Sequence, residues 1–138
     1  MPHRTHTLTI PTSGPGLHEI TRDIAAWVAS SGIRTGLLTA LCRHTSASLV
    51  ITENASPAVR RDMLRWLDTQ APQGGYYEHD DEGPDDMPAH LKSALTGVTV
   101  AIPVEGGRMM LGTWQGIFLV EHRVHPLRRD VALHIAGE

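Results

Sequence analysis

A single cysteine, Cys42, occurs in a chain of 138 residues, which excludes an internal disulfide and any zinc site of the multi-cysteine type. A bound metal must then be held by His, Asp or Glu. Long apolar runs are missing as well: no window approaches the roughly 18 residues of a membrane span. The start MPHRTHTLTIPTSG has no basic head followed by an apolar core, so neither a membrane partner nor a secretory signal is expected and the cytoplasm is the expected compartment. Excess positive charge is absent too. Twelve basic residues against fifteen acidic ones leave a net charge of −3, the wrong sign for a protein that holds nucleic acid by neutralising many phosphates. The phosphate cradle G-x-x-x-x-G-K-[ST], the dinucleotide fingerprint G-x-G-x-x-G after a strand and the nucleophile elbow G-x-S-x-G do not occur. Aromatic residues are few, with three Trp, two Tyr and one Phe, and are outnumbered by nine histidines. A simple hydrophobic core does not require that inversion.

The length suits one domain, 1–138, and the apolar rhythm is spread over all of it. Arg4 to Ile10 alternates as a half-buried strand and stops at the turn-forming PTSGPG. Leu17, Ile20, Ile24, Trp27 and Val28 recur at helical steps, predicting a first helix over 17–31 that ends at Gly32. Residues 35–52, rich in β-branched and small side chains, read as one long strand or two broken by a bulge. Ser56-Pro57 opens a second helix that is expected to bury Val59, Met63, Trp66 and Leu67. Residues 71–87, with two Pro, three Gly and a run of carboxylates, form a long loop of the kind that often carries function. A short helix over 88–95, strands over 98–104 and 109–123 joined around Glu105-Gly106-Gly107, and a closing strand over 130–136 complete the chain. The fold class is α+β, a mainly antiparallel sheet packed with two main helices and one short one.

Strand alternation places His44, Ser46, Ser48 and Thr52 on one face. In the 109–123 segment both faces mix apolar and polar groups, as in a strand covered on both sides with its polar ends turned to a pocket or subunit boundary. His79, Asp86 and His90 lie within twelve residues of one another. Neutral imidazoles bind zinc and related metals, and a carboxylate can be a ligand or can fix the ring tautomer. The His79-x10-His90 spacing matches no metal signature such as H-E-x-x-H, and ordinary surface histidines remain the competing reading. Cys42 sits in an apolar run and reads as an inert core residue.

Three segments, HTSASLVITENASPAVRRD (44–62), HDDEGPDDMPAHLKSALTG (79–97) and GRMMLGTWQGIFLVEHR (107–123), closely resemble the YjbQ family, described as secondary thiamine-phosphate synthases. The likeness runs from about residue 5 to the end of the chain. It implies a small α+β domain assembled as a homotrimer, with pockets near subunit boundaries and a divalent metal, zinc before magnesium. The implied activity is a transferase reaction on phosphorylated small molecules: hydroxymethylpyrimidine diphosphate joins thiazole phosphate and releases pyrophosphate. Carried onto this chain, the resemblance marks His44, His79, Asp86, His90 and Glu121 as catalytic candidates. It marks Thr45, Ser46, Asn54, Lys92, Gln115 and Arg123 as substrate or anion contacts, and His44, His79, His90 and His122 as metal ligands. Arg128 and Arg129 are further anion contacts without an assigned role. A metal-dependent hydrolase and a non-catalytic metal or small-ligand-binding trimer are the alternatives.

Overall fold

A computed structural model describes residues 1–138. Two antiparallel sheets share the core. The first contains β1 (His3–Thr12), β8 (Leu127–Gly137), β3 (Gly36–Cys42), β5 (Thr99–Glu105) and the short β6 (Arg108–Met109), hydrogen-bonded in that order. The second contains β2 (Gly16–Glu19), β7 (Gln115–Glu121) and β4 (Ala47–Glu53), with β7 in the middle. Three helices complete the set: α1 (Thr21–Ser30), α2 (Pro57–Gln70) and α3 (Asp86–Thr96).

Alternation along the strands builds the core between the sheets. Leu38, Ala40 and Cys42 of β3, Ile102 and Val104 of β5, and Val131, Leu133 and Ile135 of β8 meet Ala47 and Leu49 of β4 and Ile117 and Leu119 of β7, with Ile24 and Val28 of α1 closing one side. Each buried aliphatic side chain of this kind contributes about 1.5–3 kcal/mol of transfer free energy before conformational entropy is subtracted. Helix α3 packs on β4, and the Ser93 hydroxyl donates to the Ala47 carbonyl at 2.7 Å. The 3-stranded sheet is thus a middle layer, and Gly116 to Glu121 of β7 are all buried. The mixed faces seen in the sequence are those of a strand covered on both sides.

Three element boundaries and the buried face of α2 differ from the periodicity. Leu17 and His18 are not helical: residues 16–19 form an edge strand on β7, with Leu17 opposite Val120 and His18 opposite Leu119. Apolar residues at 17 and 20 fit a helix stripe, but tertiary pairing with β7 outweighs that weak local preference. Residues 35–52 divide into β3 and β4, which belong to different sheets, because the 43–46 segment turns the chain from one layer to the other. Of the four side chains expected to be buried on α2 only Leu67 is, and Trp66 is 54% exposed. The long second arm over 109–123 is a two-residue strand, a turn segment and β7. Gly106 and Gly107 have φ of 60° and 76°, the left-handed region that a tight β5–β6 turn needs and that L side chains resist.

Candidate functional site

Helix α3 is the platform. Asp86 in its first turn and His90 one turn later are four residues apart, so their side chains project from the same face. Asp85 occupies the cap position, yet its carboxylate makes no cap hydrogen bond. Its Oδ2 accepts from Arg123 Nε at 2.9 Å and from the Val124 backbone N–H at 3.0 Å, which ties the start of α3 to the chain just beyond β7. The long loop then folds back so that His79 reaches the same carboxylate as His90. Asp86 Oδ2 lies 2.9 Å from His79 Nε2 and 3.1 Å from His90 Nε2, and Glu82 Oε2 lies 3.1 Å from His79 Nε2. One ligand atom from each of His79, Glu82, Asp86 and His90 falls within 4.8 Å of every other.

The tautomers carry the chemical information. His90 Nδ1 is 2.8 Å from the Thr45 carbonyl oxygen, which has no proton to give, so Nδ1 is the N–H donor. In the neutral ring Nε2 is then a bare lone pair, and it faces another acceptor, Asp86 Oδ2. Either a second proton on the ring or a cation between the two atoms removes that opposition. His79 Nε2 faces two carboxylate oxygens at once, more than one N–H can satisfy. The hydrogen bond to Asp86 pushes the His79 imidazole above its ordinary pKa. Burial pushes the Asp86 carboxyl up, but His79, His90 and Arg123 together outweigh it and hold Asp86 below the usual carboxylate value. Zinc with nitrogen and oxygen ligands at about 2.1 Å places neighbouring ligand atoms about 3.4 Å apart, between the 2.9 Å of the His79–Asp86 pair and the 4.8 Å that bounds the cluster. The donor set fits a divalent ion.

Asp86 is 4% exposed, His90 29% and His79 46%, so the cluster has one wall of protein and one side toward solvent. Tyr76, Tyr77 and Met87 line a depression on the open side together with His79.

Of the ligand set implied by the resemblance, the structure brings together His79 and His90 and leaves His44 and His122 outside. His44 Nε2 accepts the Asp130 backbone N–H at 2.7 Å, an occupation that removes this lone pair from metal binding, while His44 lines a groove beside His90. Burial, followed by the nearby Arg129 charge, lowers its pKa. His122 is 4% exposed, bonded through Nε2 to the Ser48 hydroxyl at 2.9 Å on the helix-facing side of β7. Glu121 points the opposite way, toward β1 and β8, where Arg129 and Thr12 bond it. Ser46 meets Arg129 in the same interior, its hydroxyl and carbonyl oxygens accepting at 3.0 and 3.1 Å. Asn54 and Gln115 sit at the opposite end of the β4–β7 ladder from the Ala47–Glu121 pair, where Asn54 bonds Glu19 and Gln115 bonds the Gly112 N–H.

Of the cations implied as anion contacts, Lys92, Arg123 and Arg129 are already engaged by carboxylates. Lys92 bonds Asp68 of α2, Arg123 bonds Asp85 and Asp86, and Arg129 bonds Glu121. Arg128 is exposed on β8. Two members of the cluster region went unrecognised in the sequence: Glu82, three residues after His79, and Asp85, which shares Arg123 with Asp86. Both belong to an acidic run in which no spacing rule singles out one carboxylate.

A family model described as UPF0047 protein YjbQ-like matches residues 6–138. UPF0047 protein sll1880 of Synechocystis sp. is 50% identical over 132 residues, covering 95% of this chain and 90% of that protein. UPF0047 protein YjbQ of Escherichia coli O157:H7 is 45% identical over 133 residues, 96% of each chain. Among solved structures, hypothetical protein APE1520 of Aeropyrum pernix K1 superposes with a TM-score of 0.89 at 31% identity, over 98% of this chain and 99% of that one. A YbjQ-like protein of Sulfolobus solfataricus P2, described as of unknown function, superposes with a TM-score of 0.88 at 26% identity, over 99% and 100%. These names carry a family and no reaction. The thiamine-phosphate synthase activity implied by the resemblance, and the transferase class with it, does not stand: the relatives are named only as UPF0047 proteins.

Proposed function

The chain belongs to the UPF0047 YjbQ-like family, and from that premise we propose that its function rests on a divalent transition metal, zinc in the first instance, held by His79, Asp86 and His90 with Glu82 beside them. The observation that carries the reading is the His90 Nε2 aimed at Asp86 Oδ2 while Nδ1 is committed to the Thr45 carbonyl, so that in the neutral ring a cation between the two atoms relieves the meeting of lone pairs. An imidazole fixed through a backbone carbonyl at one nitrogen, with the other facing a carboxylate, is the arrangement that protein metal ligands commonly adopt. Two imidazoles and a carboxylate favour zinc over magnesium, which prefers an all-oxygen octahedron. A divalent ion there supplies a Lewis acid for an oxygen of a bound small molecule. The chain's own residues orient the ligands: Thr45 holds the His90 ring and Arg123 holds Asp86.

Zinc titration of metal-free protein by calorimetry tests this. The expected result is one high-affinity equivalent per chain, with the affinity of His79→Ala and His90→Ala lowered at least tenfold and that of His44→Ala unchanged. Absence of zinc uptake by the native chain at micromolar concentration would dismiss the proposal.

We also propose self-association as a homotrimer. Leu37 and Leu41 of β3 are 47% and 41% exposed on the outer face of the 5-stranded sheet, and Trp66 and Leu95 of α2 and α3 are 54% and 55% exposed. Exposed apolar groups gathered on sheet and helix faces favour burial between copies. Sedimentation equilibrium should return three times the 15.1 kDa chain mass.

A further inference from the structure

We infer that Arg123 is the residue that determines which class of metal this site accepts, by leaving Asp86 only one oxygen to offer. The inference rests on the metal reading above. The Arg123 side chain is 16% exposed, and each nitrogen of its fork donates a hydrogen bond. Nη1 donates to Asp86 Oδ1 at 2.7 Å, Nε to Asp85 Oδ2 at 2.9 Å and Nη2 to the Glu82 carbonyl at 3.1 Å. Its backbone is held as well. The Arg123 N–H donates to buried Glu121 Oε2 at 3.1 Å, and the next N–H, that of Val124, donates to Asp85. The guanidinium therefore arrives from a clamped stretch of chain and cannot easily follow Asp86 if that side chain rotates.

The consequence is chemical. With Oδ1 bound to a charged donor, Asp86 turns only Oδ2 toward His79 and His90. A single carboxylate oxygen beside two imidazole nitrogens suits a small four-coordinate ion such as zinc or cobalt(II). Calcium seeks six to eight oxygens and often takes both oxygens of a carboxylate, and magnesium seeks six. Removing the guanidinium would free Asp86 Oδ1 and leave Asp85 Oδ2 with the Val124 N–H alone, adding an oxygen donor and uncompensated negative charge at once. Lysine in its place keeps a positive charge but has no planar fork with which to hold two carboxylates and a carbonyl together.

The test is cobalt(II) titration of metal-free native protein, Arg123→Gln and Arg123→Lys, followed by the visible d–d absorption, with calcium and magnesium as competitors. Native protein should show the intense band of four-coordinate cobalt and ignore both competitors. In R123Q the cobalt affinity should fall at least tenfold, the band should lose intensity as coordination number rises, and calcium should compete; R123K should lie between. A purely structural role would lower the melting temperature and leave the cobalt spectrum as it is. Carboxylate infrared stretches of the zinc-loaded native protein give a reading that needs no variant, and single-oxygen binding is expected. Unchanged cobalt affinity and spectrum in both variants, or two-oxygen binding in the native protein, would overturn the inference and leave the metal site standing. No cobalt or zinc uptake by the native protein would remove both together.

Discussion

Glu121→Gln is the sharpest test of how the interior is held. Glu121 is fully buried and accepts from the Thr12 hydroxyl at 2.6 Å, from Arg129 Nε at 2.7 Å and from its Nη2, and from the backbone N–H groups of His122 and Arg123 at 3.0 and 3.1 Å. Burial pushes this carboxyl up, but the Arg129 and Thr12 hydrogen bonds, with the backbone donor behind them, outweigh it and hold Glu121 below the ordinary carboxylate value. Glutamine has the same shape but turns an amino group toward donors, and it leaves the Arg129 guanidinium, 5% exposed, without a counter-charge. Breaking one side of a buried ion pair costs about 3–5 kcal/mol. At roughly 3 °C per kcal/mol for a chain of this size, the melting temperature should fall by about 10–15 °C. Thermal melts and urea unfolding at one fixed protein concentration measure this, since self-association would otherwise shift the midpoint. The double replacement Glu121→Leu with Arg129→Met should recover only part of the loss, because it leaves no buried charge unpaired but takes the acceptor from the Thr12 hydroxyl and the His122 N–H. A loss below about 1 kcal/mol in the single variant would show that the pair contributes little beyond filling space.

Two further expectations follow from the same coordinates. Burial pushes the His122 imidazole down to about 4, so the unfolded chain takes up a proton there before the folded one does; stability should therefore decline as pH falls from about 6.5 to about 4, by on the order of 3 kcal/mol. Asp85, Asp86 and Glu121 all lie below their ordinary values, so their stabilisation is complete at neutral pH and is lost only as pH falls through those lower folded values. Urea midpoints across pH separate the two ranges: His122→Asn should flatten the upper one, and a native protein equally stable at pH 6.5 and 5 would contradict the assignment. If the proposed trimer forms, Leu41→Glu on the outer face of the 5-stranded sheet should dissociate it with little change in far-ultraviolet dichroism, and an unaltered sedimentation mass would exclude that face as the contact.

What was legible in the sequence is what local physics dictates. Alternation located β1, the Glu105-Gly106-Gly107 turn located the end of β5, the Ser-Pro step located the start of α2, and the short helix expected from residue 88 matches α3 to within two residues of its start. Residues 16–19 were misread because a four-residue edge strand has too little alternation of its own and owes its shape to β7. The histidine cluster was legible in part for a similar reason. Asp86 and His90 are one helical turn apart, a relation that spacing carries, whereas His79 joins them only because residues 79–85 fold back under Arg123. Long-range bonds of that sort leave no period. His44 and His122 show the converse: their motif neighbourhoods are like those of His79 and His90, but a backbone N–H occupies one and a buried serine the other.

The three residues that end β7 explain why core and site should respond together. Strand alternation sends Glu121 inward to Arg129 and His122 outward to Ser48, and the chain then leaves the ladder so that Arg123 swings to Asp85 and Asp86. Glu121 Oε2 accepts the N–H groups of both following residues, so one buried carboxylate anchors the backbone from which the guanidinium departs. A substitution at Glu121 should then weaken the hold on Asp86 even though Glu121 lies outside the cluster, whereas a substitution at Asp86 should leave the Glu121–Arg129 pair intact. The dependence runs outward from the core because the inner contacts are buried and mutually bonded, while the outer ones end at a surface that water can enter.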